Sequence, residues 1–170
     1  NIMSVNWQAS RSQGLRGNIT VPGDKSISHR AIMLSALADG VSTIEGFLEG
    51  EDTRSTAKIF AQLGVSIETP NPQTRVVHGV GLHGLTASTQ ALDCGNAGTG
   101  MRLLTGLLSG QAFDSQLVGD TSLSSRPMAR VIKLLEKMGA QISARDDNFA
   151  PLNIKGGQSL RGVEIDTLVA

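Results

Sequence analysis

A short segment near the beginning of the sequence combines residue types that bind anions. Gly23–Arg30 follows the apolar stretch Ile19–Val21 and precedes residues with helical hydrophobic periodicity. Free backbone N–H groups and the helix dipole favour an anion at a helix N-terminus. Lys25 supplies a point charge, Ser26 a neutral donor and Arg30 a planar fork that can bind two oxygens. We interpret the segment as a phosphate or carboxylate site, with a solvated, ordinarily charged turn as the alternative.

This segment does not match the nucleotide-binding P-loop. That motif requires Gly-x-x-x-x-Gly-Lys-Ser/Thr, and here Asp24 stands before the lysine. A lone histidine such as His29 is more often a cap or a surface group than an acid–base catalyst. No second His or Cys stands at metal-ligand spacing from it.

Composition narrows the functional class. The chain has 170 residues, which is enough for one domain with a core, and its 15 basic and 15 acidic residues cancel. Zero net charge and 3% aromatic residues disfavour a nucleic-acid partner. Cys94 is the only cysteine, so an internal disulfide and a cysteine metal cluster are excluded. Without an apolar run of membrane-spanning length or a signal-peptide pattern, we expect a cytoplasmic protein.

A second segment, Leu92–Arg102, is rich in glycine and also precedes a helical pattern. Its three glycines allow the backbone to approach a ligand closely. Asn96 and Thr99 offer neutral hydrogen bonds, and Arg102 lies in the first helical turn. The glycine order differs from the dinucleotide fingerprint, and a packing turn is the alternative. Cys94 has no nearby activating His or Lys, so we expect it to be buried and inert.

A third segment, Thr121–Arg130, contains an arginine directly before a proline. Pro127 disfavours helical backbone at Arg126 and is expected at the first helical position, N1. Arg126 is thereby held ahead of a helix, where it is a candidate for binding an anionic substrate. A solvated surface charge is the alternative.

The sequence repeats itself. Phe60–Ile67 aligns with Leu135–Ile142 at an offset of 75 residues, and each copy reads β-α-β-α-β-β. The pattern predicts an α/β protein with unit one at about 15–80, unit two at about 81–157 and the start of a third at about 158–170. Within it we expect a strand at Gly17–Val21, a third-unit strand at Leu160–Ile165 and a helix N-cap at Asp52. A face left open by an incomplete third unit suggests that the chain is a piece of something larger or associates with something.

Together the three segments resemble the 5-enolpyruvylshikimate-3-phosphate (EPSP) synthase family. The matching motifs are Pro22–Arg30, Gly95–Arg102 and Arg126–Met128, and the resemblance runs from about Gly14 to Ala170. It implies an inside-out α/β barrel with two domains of three units each and substrates bound between them. The implied reaction transfers the enolpyruvyl group of phosphoenolpyruvate to the 5-hydroxyl of shikimate 3-phosphate through a tetrahedral intermediate. No metal or organic cofactor is implied.

The resemblance also implies site residues. Lys25 would contact phosphoenolpyruvate near the reacting centre, and Ser26 and Arg30 would hold shikimate 3-phosphate. The phosphoenolpyruvate site would be lined by Asn96, Gly98, Thr99 and Arg126. An alanine in place of Gly98 would be the family's mark of glyphosate resistance, and this sequence has the glycine.

The family's remaining phosphate-binding segment and its acidic catalytic residues would follow Ala170. We therefore assign no general base in this chain, expect the second domain to be absent and expect the chain alone to be inactive. Its partner would be the C-terminal half of the enzyme, in the same chain or a second one. A non-catalytic substrate-binding fragment or half of a split enzyme is the alternative. UDP-N-acetylglucosamine enolpyruvyl transferase is a further alternative, disfavoured because it has Asn in place of Ser26 and a catalytic loop cysteine.

Overall fold

The computed structural model describes residues 6–166. Within this range the secondary structure alternates between helices and strands, with one 3-10 turn at Leu123–Ser125. The helices are α1 (Lys25–Leu37), α2 (Glu51–Gln62), α3 (Gly98–Ser109) and α4 (Ala129–Met138). The strands are β1 (Asp39–Ile44), β2 (Ser66–Asn71), β3 (Thr74–Val80), β4 (Leu92–Asp93), β5 (Ser115–Val118), β6 (Gln141–Arg145) and β7 (Phe149–Lys155).

The predicted repeat of two units corresponds to two sheets of similar topology. The first has the strand order β1-β3-β2 and is antiparallel throughout. The second has the order β4-β5-β7-β6, in which β5, β7 and β6 are antiparallel and β4 lies parallel to β5. Each sheet therefore places the last strand of its unit between the two preceding ones, and the second sheet carries one additional parallel strand.

Local sequence signals set the ends of the helices. Asp24 is the N-cap of α1, where its carboxylate accepts the Ile27 N–H at 2.7 Å. Gly139 ends α4 with a φ of 108°, a left-handed conformation that glycine adopts without steric cost. No helix within residues 6–166 is both long and apolar enough to cross a membrane.

The two units share one hydrophobic core. Ile32 of α1 and Phe60 of α2 belong to the same buried cluster as Leu104 of α3 and Leu152 of β7, and all four are 0% exposed. Close packing of this kind fixes the helices against one another. The loops that precede the helices are consequently held in a defined arrangement.

Two predicted strands are wrong. Gly17–Val21 forms no strand, and Ile19 in it is 88% exposed. Leu160–Ile165 also forms no strand, while residues 167–170 of the expected third unit lie outside the described residues. Both segments contain residue types that are common in strands. A strand also requires a neighbouring strand as a hydrogen-bonding partner, and residues 6–166 provide none for these segments.

Two predicted helix boundaries are also wrong. Gly50, not Asp52, is the N-cap of α2, so Asp52 lies inside the first helical turn. Pro127 precedes α4 instead of opening it, because the helix begins at Ala129. The Asn148 side chain, from the turn between β6 and β7, accepts the Met128 N–H at 3.0 Å and the Ala129 N–H at 2.8 Å. A cap supplied by another hairpin thus fixes where α4 starts.

Candidate anion-binding site

The first turns of α1, α2 and α3 lie together at one end of the structure. Lys25 of α1 contacts Asp52 of α2. A Cβ added to Gly95, just ahead of α3, would lie 3.0 Å from the Ser55 Oγ of α2. One added to Gly100 of α3 would lie 3.2 Å from the Thr56 Oγ1 of α2. Three positive helix ends therefore face one region, which favours negative charge there.

Lys25 is held by a carboxylate in this arrangement. Its Nζ donates a hydrogen bond to Asp52 Oδ2 at 2.8 Å, and the two side chains are 55% and 21% exposed. An ammonium has three N–H donors, so a single bond to Asp52 leaves two for a ligand. Lys25 is therefore both fixed in direction and accessible from solvent.

His29 lies one helical turn behind Lys25 and is completely buried. Its Nδ1 is 2.7 Å from Thr56 Oγ1, and its Nε2 has no hydrogen-bond partner among residues 6–166. Burial lowers the pKa of this imidazole; nearby Asp52 opposes the shift and Lys25 adds to it. His29 is thus a neutral packing element behind the basic cluster, and its Cε1 would contact a Cβ on Gly100 at 3.6 Å.

A hydrogen-bonded chain positions Arg126. Its Nη2 donates to Asn96 Oδ1 at 2.6 Å and to Ser122 Oγ at 3.2 Å. Asn96 Nδ2 in turn donates to Asp120 Oδ2 at 2.8 Å. The pKa of Asp120 lies below its usual range, chiefly because the Leu123 N–H donates a hydrogen bond to its carboxylate. The hydrogen bond from Asn96 and then the charge of Arg126 lower this pKa further. Asp120 therefore stays ionised and fixes Asn96, which fixes Arg126.

Gly98 lies beneath two guanidinium groups. A Cβ at this position would be 3.1 Å from Arg102 Nη1 and 3.2 Å from Arg126 Nη1. Arg102 Nη2 also donates to the Pro127 carbonyl at 3.1 Å. No side chain caps α3, in contrast to α1 with its Asp24 cap. The start of α3 consequently offers backbone N–H groups beside two arginines, which suits an anion bound by several donors.

The structure brings together some of the predicted site residues. Asn96, Gly98 and Arg126 form one contiguous group, and Lys25 lies on the neighbouring helix pair. Ser26 is half-buried, and Arg30 and Thr99 are exposed. Within residues 6–166 the side chains of these last three form no hydrogen bond to the group. Cys94 is 1% exposed, and burial together with Asp93 raises the pKa of its thiol to about 12, as expected for an inert cysteine.

Sequence reasoning missed Asp52 and Asp120. The repeat carries a signal that could have found them, since Gly50–Thr53 and Gly119–Thr121 are similar turns at matching places in the two units. In both units the aspartate of that turn contacts a residue at or just before the start of the unit's first helix. The two carboxylates therefore occupy equivalent positions in the two units and make equivalent contacts.

Repeated α/β units with cations gathered at helix N-termini define an α/β repeat protein with a candidate anion-binding site. The family model described as EPSP synthase (3-phosphoshikimate 1-carboxyvinyltransferase) matches residues 10–170. The chain belongs to the EPSP synthase family.

Its relatives support that membership. The chain is 63% identical to the 3-phosphoshikimate 1-carboxyvinyltransferase of Xanthomonas euvesicatoria pv. vesicatoria and 62% identical to that of Xanthomonas axonopodis pv. citri. Each comparison covers 96% of this chain and 37% of the relative. The structure matches EPSP synthase from Acinetobacter baumannii with a TM-score of 0.87 and 52% identity, over 91% of this chain and 35% of the other. These findings confirm the predicted α/β fold, and the chain spans about a third of the length of these relatives.

Proposed function

We propose that this chain supplies anion-binding residues for enolpyruvyl transfer from phosphoenolpyruvate to the 5-hydroxyl of shikimate 3-phosphate, with release of phosphate. The observation that carries the proposal is the fixed group of Arg126, Asn96 and Gly98 beside the uncapped start of α3. Both substrates are multiply charged anions, and this group offers a guanidinium cation beside backbone donors. Relatives that match 96% of this chain are named 3-phosphoshikimate 1-carboxyvinyltransferase, which is the same activity.

The proposed roles follow the resemblance to the family, and the contiguous group of Asn96, Gly98 and Arg126 supports them. Arg126, Asn96, Gly98 and Thr99 bind phosphoenolpyruvate, and Ser26 and Arg30, on the first turns of α1, bind shikimate 3-phosphate. Lys25 lies between α1 and α2 with two N–H donors available, which suits a cation close to the reacting carbon. Addition of the hydroxyl to the enolpyruvyl group moves charge during the reaction, and preorganised cations stabilise such charge.

The proposal extends to the rest of the protein. The matched relatives are more than twice as long as this chain, because the 164 matched residues make up only 37% of the relative. We place the acid–base groups and the second half of the substrate site in that remaining length, whether in the same chain or a second one. A cytoplasmic location is part of the proposal, because the lone cysteine suits a reducing compartment.

A UDP-N-acetylglucosamine enolpyruvyl transferase is disfavoured by one observation. Such an enzyme uses a loop cysteine, whereas Cys94 is buried and the pKa of its thiol is raised to about 12. A thiol in that state supplies almost no thiolate near neutral pH. A fragment that binds substrate without catalysis is the second candidate. It is favoured because we assign no general acid or base near Lys25 among the described residues.

Replacing the matched region of the Xanthomonas euvesicatoria synthase with this chain tests the function. Phosphate release from phosphoenolpyruvate is measured with shikimate 3-phosphate and, separately, with UDP-N-acetylglucosamine. Turnover that requires shikimate 3-phosphate supports the proposal. A folded hybrid that binds both substrates without turnover supports the binding fragment, and turnover with the nucleotide sugar contradicts the assignment.

A further inference from the structure

Helices α1 and α2 are joined by two polar contacts one helical turn apart. Lys25 Nζ meets Asp52 Oδ2 at 2.8 Å, and His29 Nδ1 meets Thr56 Oγ1 at 2.7 Å. On each helix the two contacting residues are four positions apart, so both contacts lie on the same faces of the helix pair. We call Lys25–Asp52 the outer contact and His29–Thr56 the inner contact.

The two contacts differ in burial. His29 is 0% and Thr56 1% exposed, whereas the side chains of Lys25 and Asp52 are 55% and 21% exposed. Gly100 of α3 packs against both members of the inner contact, at 3.2 Å from Thr56 Oγ1 and 3.6 Å from His29 Cε1 for a Cβ placed there. The inner contact therefore fixes the spacing and register of the helices. The outer contact, at their solvent-facing end, decides only where the Lys25 ammonium points.

We propose that Asp52 is a positioning residue for the Lys25 ammonium in the anion site. Its carboxylate accepts one of the three ammonium N–H groups, and the other two are left for the oxygens of a bound phosphate or carboxylate. Without an acceptor, the four-carbon stem of lysine samples many rotamers, which must be ordered when the anion binds. The proposal deepens the function given above and rests on Lys25 being part of that anion site.

Two opposing effects of Asp52 can be separated by experiment. The carboxylate repels an incoming anion, and it also orders the lysine that binds the anion. Asp52→Asn and Asp52→Ala remove the same charge, but only asparagine keeps an acceptor oxygen for Lys25. Glu51→Gln and Glu51→Ala form the matched pair, because Glu51 is exposed in the same helical turn and makes no ion pair within residues 6–166.

The binding test uses calorimetric titration of the full chain with phosphoenolpyruvate at low ionic strength. The Asp52→Asn variant is expected to bind at least ~3-fold more tightly than Asp52→Ala, the order of effect of ordering one flexible side chain. Glu51→Gln and Glu51→Ala should bind alike. The difference between the two Asp52 variants should vanish when each also carries Lys25→Met. Equal affinities of Asp52→Asn and Asp52→Ala, with both folded by circular dichroism, would overturn the proposal.

A second readout does not depend on the substrate. A proton–nitrogen correlation spectrum shows the signal of the Lys25 ammonium, which is assigned by its loss in Lys25→Met. The signal is visible only when a hydrogen bond restricts the ammonium and slows its exchange with water. We expect it in the wild type and in Glu51→Ala, and we expect its loss in Asp52→Ala. If no variant binds phosphoenolpyruvate, the proposed function of this chain fails, and this signal alone decides the role of Asp52. An unchanged Lys25 signal in Asp52→Ala would overturn that role.

Discussion

Arg126 donates a hydrogen bond from Nη2 to Asn96 Oδ1 at 2.6 Å, across 30 residues of sequence. The other end of the same amide donates to Asp120 at 2.8 Å. Asn96 is therefore a bridge whose orientation is fixed by an anion on one side and a cation on the other. Replacing Asn96 with alanine removes both the amide oxygen and the amide N–H groups, so Arg126 loses its closest acceptor.

Asn96→Ala is expected to weaken phosphoenolpyruvate binding by ~10-fold or more, the scale of losing a hydrogen bond to a charged group. The fold should persist, because Asn96 lies in a half-exposed loop before α3. Calorimetric titration measures the affinity and circular dichroism the fold. Asn153→Ala, on the solvent face of β7, is the control for losing an asparagine. An unchanged affinity in Asn96→Ala would show that Arg126 does not depend on this bridge.

Gly98→Ala should disturb the site without unfolding the chain. The new Cβ would meet Arg102 Nη1 at 3.1 Å and Arg126 Nη1 at 3.2 Å, which are tight contacts with the movable ends of long side chains. Both guanidinium groups must shift slightly, and we expect ~10-fold weaker phosphoenolpyruvate binding, the scale of weakening a hydrogen bond to a charged group.

Gly106→Ala is the matched control on the same helix. Nothing lies within 4 Å of a Cβ at Gly106, so alanine there should stabilise α3 by ~0.5–1 kcal/mol and leave binding unchanged. Urea unfolding and titration of both variants check the pair. Equal binding by Gly98→Ala and the wild type would argue against an anion beside these two arginines.

The elements with strong local signals were predicted well. The strand at Ser115–Val118 and the helices starting near Lys25 and Gly98 follow from apolar periodicity and flanking glycines. The N-cap prediction at Asp52 is wrong because α2 already begins after Gly50, and the actual partner of the Asp52 carboxylate, Lys25, is 27 positions away. The start of α4 was missed for the same reason, since its cap comes from Asn148 on a later turn. Long-range contacts thus set the details of the site that local patterns do not contain.

His29 should make the stability of the chain depend on pH. Its pKa is lowered in the folded chain from the ordinary value of 6.5, chiefly by burial. Below about pH 6.5 the unfolded chain binds a proton that the folded chain does not, so the free energy of unfolding falls as the pH decreases from 6.5 towards the folded pKa. The loss approaches ~1.4 kcal/mol per pH unit in that window.

Urea unfolding at pH 7, 6 and 5 checks this dependence in the wild type and His29→Gln. The glutamine variant should lose less stability than the wild type between pH 6.5 and 5, although its absolute stability is lower. His83→Gln removes an exposed histidine and is the control for histidine substitution. Parallel curves for the wild type and His29→Gln would contradict a buried, neutral imidazole at this position.

Lys25→Ala and Arg126→Ala should each lower turnover by at least ~100-fold in the Xanthomonas hybrid described above, as expected for removing one preorganised charge-stabilising group. Neither side chain is part of the hydrophobic core, so the melting temperature should change little. Initial rates and thermal unfolding measure the two effects separately. Near-normal turnover in either variant would remove that residue from the site.

The most direct test of the account is calorimetric titration of the chain with shikimate 3-phosphate and then phosphoenolpyruvate. Measurable binding is expected, lost in Arg126→Ala and weakened in Lys25→Ala, because we propose that the start of α3 and Lys25 bind the substrate anions. A folded chain that releases no heat with either substrate would contradict the claim that these helix N-termini bind the substrates.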